Sequence, residues 1–163
     1  MPIKLFLKTK KKAILQDWLE RTIATYPEES HPFLLKKHDR FANPIGSNIA
    51  EGLEGIFDGL LHDMSPDEIV KPLDNIIRIR AVQEFSPSEA LSFIYLLKDV
   101  TKKALVNEIK DQQYLDAFLE FHAQIDSLAL LAFNTYMKCR EDIFQIRVGE
   151  SKRRIPAFMR QIN

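Results

Sequence analysis

The feature that most constrains how this chain can fold is a long apolar pattern in its second half. Glycine and proline are both absent from residues 88–148, so this stretch contains none of the strongest helix breakers. Within it, mostly apolar residues recur at alternating spacings of three and four for more than four heptads: Leu115, Phe118, His122, Ile125, Ala129, Ala132, Tyr136, Cys139, Ile143 and Ile146. This spacing predicts a long helix, or two nearly collinear helices, packed along its length.

Five further residues widen this pattern beyond the stripe of a simple coiled coil: Phe121, Leu128, Phe133, Met137 and Phe144. A helix with so wide an apolar surface can meet its own core on one side and a second subunit on another. We therefore predict that the long helix is both a core element and a contact in a homodimer. The polar segment 107–113 predicts a break before it.

The first half of the chain also carries helix signals, and strand signals are nearly absent. A first helix is predicted from Lys10 to Tyr26, followed by a polar connection as far as Asp39. Asn43-Pro44 predicts an N-cap and first helical residue. The pattern Ser-Pro-x-Glu begins at Ser65 and again at Ser86, and each copy predicts a capped helix start. We predict an all-α, single-domain helical bundle with a long C-terminal helix.

Four of the five glycines lie in the helix predicted after Pro44. They are Gly46, Gly52, Gly55 and Gly59. A glycine inside a helix costs up to about 1 kcal/mol relative to alanine. Four of them indicate the close approach of another backbone or of a flat ligand, and tight helix–helix packing is the favoured interpretation.

The overall composition indicates a globular domain of ordinary type. The chain has 163 residues, and its 23 Lys and Arg balance its 23 Asp and Glu, so no net field draws it to nucleic acid. Its apolar runs are too short for a membrane span, and we expect no secretory signal at its start. A single cysteine, Cys139, fits a reducing compartment. These features predict a cytoplasmic protein that binds no nucleic acid and has no membrane span.

The segment RIRAVQEFSPSE, residues 78–89, places two arginines and a glutamine directly before a helix start. Arg80 and Glu84 are four residues apart, a spacing that allows an ion pair. Arg78 and Gln83 need other partners, such as helix-end carbonyls or distant carboxylates. The pattern favours a structural clamp between two helices, and a site for an anion or ligand that uses Arg78, Arg80 and Gln83 is the alternative.

The sequence shows no phosphate loop, no His-Glu-x-x-His and no nucleophile elbow, so we predict no enzymatic activity and no cofactor. His122 is the histidine of greatest interest because it lies in the apolar pattern of the long helix. A hydrogen-bonded core histidine is the favoured interpretation. The alternative is a haem ligand in an all-α pocket, which predicts a haem absorption band that is lost in His122→Ala.

The residues after Val148 combine basic and apolar side chains. We divide the chain into a helical domain, 1–148, and a basic amphipathic tail, 149–163. A solvated tail is the default interpretation. The alternative is a partner-binding segment, for which Lys152, Arg153, Arg154 and Phe158 are the candidate residues.

Short segments that follow one another in a set order support a family resemblance. Residues 40–46, RFANPIG, followed by residues 79–90, IRAVQEFSPSEA, and by residues 93–98, FIYLLK, resemble the N-terminal domain of the RsbRD-type co-antagonists, which are RsbR paralogues of bacterial stress signalling. The resemblance covers roughly residues 15–154.

The resemblance implies a sensory or regulatory module that is globin-like, lacks haem and dimerises through its helices. In the full co-antagonists this domain precedes a STAS domain with phosphorylated threonines. Nine residues follow Arg154 here, so we expect no STAS domain and hence no role as the phosphorylated subunit. Similar single-domain copies in sulfur-metabolising anaerobes hint at a respiratory or redox partner.

Together these patterns predict a non-enzymatic, dimeric regulatory domain that binds a partner protein or a signal. The alternative is a haem or small-molecule sensor, with its ligand between the glycine-bearing helix and the long helix, near His122.

Overall fold

A computed structural model of the chain describes residues 3–35 and 41–162, with side chains as far as residue 154. In this part of the chain the secondary structure is helical throughout, without strands. The seven α-helices are α1 (Ile3–Thr9), α2 (Lys11–Ile23), α3 (His31–Leu35), α4 (Pro44–Leu61), α5 (Pro66–Val82), α6 (Pro87–Ala104) and α7 (Gln112–Ile162). The predicted all-α class is confirmed, whereas the predicted relation to the globin fold stays a prediction.

The predicted helix starts are confirmed by side-chain hydrogen bonds. Asn43 caps α4 by accepting from the Gly46 N–H at 3.0 Å. Ser65 and Ser86 cap α5 and α6, and in each case the glutamate three residues later completes a capping box. These bonds satisfy backbone donors that the first helical turn leaves unpaired. The local sequence therefore places the starts of three of the helices that form the core.

The predicted connection between α2 and α4 is partly wrong. Residues 31–35 form the short helix α3, and residues 36–39 lie outside the described part of the chain. The α3 helix is stabilised by tertiary contacts rather than by its own propensity. Its Leu34 is buried, and the Leu34 carbonyl accepts a hydrogen bond from Asn43 Nδ2 at 3.0 Å.

The core lies where α2, α4, α5 and α6 meet the first half of α7. Helix α4 packs against α5, both α5 and α6 pack against α7, and α2 packs against α6. Four large side chains are fully buried there: Trp18, Phe57, Phe93 and Phe121. Trp18 also donates from its indole Nε1 to the Phe93 carbonyl at 2.6 Å, so its polar atom is satisfied inside the core.

The predicted tight packing of the glycine-bearing helix is confirmed. A Cβ atom on Gly52 would lie 2.6 Å from Ile76 Cγ1, and one on Gly55 would lie 2.7 Å from Pro72 Cβ. Gly59 faces α5 in the same way. Three glycines one turn apart therefore form a flat surface on α4, and side chains of α5 occupy the space that their missing Cβ atoms leave.

The α7 seam is buried over most of its predicted length but not to its end. Phe118, Ile125 and Cys139 are buried, whereas Ile146 is 63% exposed. Within a single copy of the chain, the prediction that Ile146 belongs to a packed seam is therefore wrong. The reason is length, because a helix of 51 residues extends roughly 75 Å, farther than the body of the domain on which it packs.

We predict that Gly52→Ala lowers the free energy of unfolding by about 1–2 kcal/mol, because overpacking at Ile76 outweighs the gain in helix propensity. The matched control is Gly149→Ala, since a Cβ atom there meets nothing within 4 Å. Denaturant unfolding followed by circular dichroism measures both. An equal or higher stability of Gly52→Ala would show that α4 and α5 are less closely packed than described.

Candidate functional site

The corner between α5 and α6 is built around the buried guanidinium of Arg80, whose side chain is 0% exposed. Arg80 Nη1 donates to Thr25 Oγ1 at 3.1 Å, and Nη2 donates to the Glu89 carbonyl at 2.7 Å and to Ser92 Oγ at 3.5 Å. Thr25 follows α2 directly, and Glu89 and Ser92 lie in the first turns of α6. One side chain therefore joins three helices at the point where α5 ends.

Aromatic rings surround the same guanidinium. Arg80 Cζ lies 4.4 Å from the ring centre of Phe85, 5.4 Å from that of Tyr26 and 5.6 Å from that of Phe93. Within the described residues it forms no ion pair, so these ring faces supply the electrostatic compensation for the cation. Burial lowers the pKa of Arg80 below its ordinary value, and the nearby Tyr26 opposes that shift.

The predicted pair between Arg80 and Glu84 is wrong. Glu84 lies just past the end of α5 with a φ of 63°, a left-handed conformation that ends the helix and turns its side chain outward. Its carboxylate lies 3.6 Å from Arg147 Nη2 on α7. Arg80 points into the core, so the four-residue spacing does not bring the two side chains together.

The other two candidate ligand-binding residues of this segment are on the surface. Arg78 is exposed and lies 3.3 Å from Asp74, one turn earlier on α5. Gln83 is exposed, and its backbone N–H donates to the Ile79 carbonyl. The structure thus separates Arg78 and Gln83 from the buried Arg80. The arrangement supports the structural clamp, and a ligand site that uses all three side chains stays a prediction.

Two residues that the sequence pattern did not assign to this corner hold it against α7. Tyr136 Oη donates to the Phe85 carbonyl at 2.6 Å, and Arg140 Nη1 donates to the Ala81 carbonyl at 3.1 Å. Together with Arg147, they bring three polar contacts from α7 to the end of α5. Tyr136 was detectable as a seam residue, but its hydroxyl contact depends on how α7 is placed.

His122 lies between α7 and α6 in a half-buried position. Its Nε2 is 3.1 Å from Thr101 Oγ1, and its ring centre is 4.0 Å from that of Phe118. Thr101 Oγ1 itself donates to the Leu97 carbonyl at 2.8 Å, so Nε2 takes the donor role toward Thr101. Iron coordination through Nε2 would have to break this bond, and haem ligation by His122 stays a prediction.

The electrostatics of His122 favour the neutral ring. Burial, and after it the charge of Lys98, lowers the pKa of His122 to about 4 from an ordinary value of 6.5. The ring is therefore uncharged at neutral pH and acts as a hydrogen-bonded packing residue between α6 and α7.

Helix α7 carries a second apolar face that its own core does not cover. Leu130 is 73% exposed, Phe133 46%, Met137 49% and Phe144 62%. At 100° per residue these side chains share one narrow face, roughly 110° away from the buried seam. We call this set the outer stripe. It confirms that the apolar surface of α7 is wider than its core contact, as the sequence pattern predicted.

The basic candidates for partner binding lie beyond the body of the domain. Helix α7 continues through residue 149 to Ile162, and Lys152, Arg153 and Arg154 are exposed on it. The side chain of Phe158 lies outside the described part of the structure. The segment called a tail is thus a continuation of α7, and its role in partner binding stays a prediction.

The described residues contain neither a metal-binding cluster nor a membrane span. No three of their His, Cys, Asp and Glu side chains are grouped so that they could hold a metal ion. Among the same residues, no helix has a stretch both long and apolar enough to cross a membrane.

We predict that Arg80→Ala lowers the free energy of unfolding by about 3 kcal/mol or more, because it removes the partly buried hydrogen bonds of the guanidinium and leaves a cavity among three rings. Arg78→Ala is the matched control and should cost less than about 1 kcal/mol, as expected for an exposed ion pair. Denaturant unfolding measures both, and Arg80→Lys replaces Arg80→Ala if the latter does not fold. Equal losses at both positions would contradict the clamp.

We predict that the imidazole of His122 titrates with a midpoint near pH 4. Because the pKa is lower in the folded state, the unfolded chain takes up the proton first, and stability falls as the pH decreases from about 6.5 to about 4. NMR of the ring C–H signals measures the midpoint, with His122→Gln to assign the resonance. A midpoint at pH 6 or above would contradict the described environment.

Comparison with known proteins assigns the sequence to a family. The sequence matches the family described as RsbT co-antagonist protein rsbRD N-terminal domain over residues 12–150. An uncharacterized protein of Archaeoglobus fulgidus is 24% identical over 143 residues, which cover 87% of this chain and 85% of that protein. No solved structure matches the chain significantly. Because the family match spans most of the sequence, the chain belongs to the RsbRD N-terminal domain family, a family of signalling and stress-regulatory domains.

Proposed function

We propose that this chain is a non-enzymatic regulatory domain of the cytoplasm that forms a homodimer through the outer stripe of α7 and binds a partner protein with the basic end of the same helix. The observation that carries the proposal is the outer stripe itself, four large apolar side chains exposed on one face of a long helix. The signalling family to which the chain belongs supports the regulatory role.

The geometry of the outer stripe favours a second copy of this chain as the partner that buries it. Leu130, Met137 and Phe144 are spaced by seven residues, with Phe133 between the first two. A heptad of large apolar residues is the pattern with which two helices pack side by side. In a twofold dimer the same stripe on both chains meets itself, so one exposed face provides both halves of the interface.

The polar groups that lie below the surface support a non-enzymatic role. Arg80, His122 and Tyr136 are all held in hydrogen bonds between helices. These are the bonds of a scaffold, and they leave the free surface of α7 as the part of the molecule that is suited to binding.

The partner-binding part of the proposal rests on charge and position. Lys152, Arg153 and Arg154 are consecutive and exposed on α7 beyond the body of the domain. Three adjacent cations attract an acidic surface over about one Debye length. We propose a regulatory or respiratory protein with an acidic contact surface as the partner.

We predict that Phe133→Glu combined with Met137→Glu converts the dimer into a monomer, because it places two charges in an apolar interface on each chain. Light scattering at low micromolar concentration should change from twice the chain mass of 18.9 kDa to the chain mass. Val106→Glu is the control, since Val106 is a comparably exposed apolar residue in the turn after α6. A wild-type protein that is already monomeric would overturn the dimer.

We predict that Arg153→Glu combined with Arg154→Glu abolishes retention of a partner that the wild-type chain captures from cell extract at low salt. Lys8→Glu combined with Lys12→Glu changes the net charge equally on two other exposed basic residues, and it should leave retention unchanged. Both variants should remain dimers in light scattering. If both variants lose the partner equally, net charge rather than this segment of α7 determines binding.

A further inference from the structure

We propose that the dimer of this chain is antiparallel, with the basic C-terminal half of α7 in each copy packed along the acidic N-terminal half of α7 in the other. This inference rests on the dimer proposed above and adds the orientation of its two copies. The docking surface is the outer stripe with the charged residues beside it, and its occupant is α7 of a second copy.

The two halves of α7 carry opposite charge. Residues 112–137 contain three Asp and Glu and no Lys or Arg, which gives a net charge of −3. Residues 138–162 contain seven Lys and Arg and three Asp and Glu, which gives +4. The chain as a whole has no net charge, so the two signs are separated along this one helix. Opposite charges on two surfaces favour the alignment that brings them together.

Most of these charges lie where a second helix on the outer stripe would meet them. At 100° per residue, all three acidic residues of the first half lie within about 100° of the direction of Met137, the middle of the outer stripe. Five basic residues and one acidic residue of the second half lie in the same range. The first group is Asp116, Glu120 and Asp126, and the second is Lys138, Arg140, Arg147, Lys152 and Arg154 with Glu141. All are exposed except the half-buried Arg140.

An antiparallel dimer centred on Met137 brings particular residues together. Leu130 and Phe144 are each seven residues from Met137, so each faces the other across the interface and the apolar centre is continuous. Glu120 and Lys152 are 17 and 15 residues from Met137, and both lie on the same side of the stripe. A twofold axis between antiparallel helices places residues of the same side next to each other. Glu120 of one copy therefore lies beside Lys152 of the other.

A second charged contact joins ion pairs that each chain already has. Asp126 and Arg147 are 11 and 10 residues from Met137, so the antiparallel arrangement also places them side by side. Within one chain, Asp126 lies 2.8 Å from Lys98, and Arg147 lies 3.6 Å from Glu84. The side chains of Asp126 and Arg147 are still 54% and 60% exposed, so each can take a second partner.

A parallel dimer would use the same apolar face but lose these contacts. Each half of α7 would then lie beside the same half of the second copy, so that acidic residues meet acidic ones and basic residues meet basic ones. Apolar contacts are similar in both alignments, and exposed ion pairs stabilise little. Charge therefore decides the orientation, whereas the outer stripe supplies the affinity. Arg153 and Arg154 belong to neither of the two pairs and remain available to the partner protein.

The first test measures distances between nitroxide labels by pulsed electron paramagnetic resonance, in the full chain with Cys139→Ala and one exposed cysteine. Ser151 is 14 residues from Met137. Labels at Ser151→Cys should therefore be about 40 Å apart in the antiparallel dimer and less than about 25 Å apart in a parallel one. Asn134→Cys is the control, since Asn134 is three residues from Met137 and should give less than about 25 Å in either orientation.

The second test exchanges the charges of one contact and needs no label. Glu120→Lys should weaken the dimer about three- to tenfold at low salt, as measured by analytical ultracentrifugation, and adding Lys152→Glu should restore the affinity. Glu150→Lys makes the same exchange on α7, about 140° from the direction of Met137, and should leave the affinity unchanged.

The two tests separate the orientation from the dimer itself. Short distances at both label positions would overturn the antiparallel orientation and keep the dimer through the outer stripe. A Glu120→Lys variant of unchanged affinity, or a loss that Lys152→Glu does not restore, would also overturn the orientation. A long distance at Asn134→Cys would refute the outer stripe as the interface, and a monomeric wild type would refute the dimer and this inference together.

Discussion

The buried cation of Arg80 is the interaction on which this corner of the domain depends. A guanidinium removed from water is costly unless its donors and its charge are compensated. Here Nη1 and Nη2 donate to Thr25, Ser92 and the Glu89 carbonyl, Nε has no partner among the described residues, and three aromatic rings face the charge. These partners lie just after α2 and in α6, so the hydrogen bonds of the cation form only when α2, α5 and α6 are assembled. This requirement favours one arrangement of the three helices over others of similar apolar burial.

Helix α7 is joined to that corner by polar contacts as well as by its apolar seam. Tyr136 and Arg140 donate to carbonyls at the end of α5, and Arg147 lies beside Glu84 just beyond. These contacts occur where α7 leaves the body of the domain. A change in the position of the α5–α6 corner would therefore act on α7 near the start of its free part. In a regulatory domain this is a direct physical connection between the core and the surface proposed for binding.

The two apolar faces of α7 differ in their exposure. The seam from Phe118 to Cys139 is buried in the chain's own core, whereas the outer stripe from Leu130 to Phe144 is exposed. A second copy and a partner protein would thus both contact one continuous helix. A rigid helix of this length can transmit a shift at one contact to the others without a change of fold.

The sequence by itself determined what depends on near neighbours in the chain. The caps at Asn43, Ser65 and Ser86, the break before α7 and the heptad seam as far as Cys139 are set by residues within a turn or two of each other, and the structure confirms them. Family membership was also detectable from short segments in a set order. The helices α1 and α3 were missed, and α3 is held by a hydrogen bond from Asn43 to the Leu34 carbonyl, which the local pattern does not reveal.

Only the tertiary structure decided which polar side chains are buried and with what partner. Arg80 and Glu84 have the spacing of an ion pair. However, the assembly of three helices buries Arg80 in the core, whereas Glu84 lies beside Arg147 of α7. The role of His122 depends on Thr101, which is distant in sequence and close only after folding. The sequence likewise did not determine where the buried seam ends, because a heptad pattern does not show where the other helices of the domain stop packing against α7. Local hydrogen bonds are encoded by adjacent residues, whereas burial is a property of the whole assembled chain.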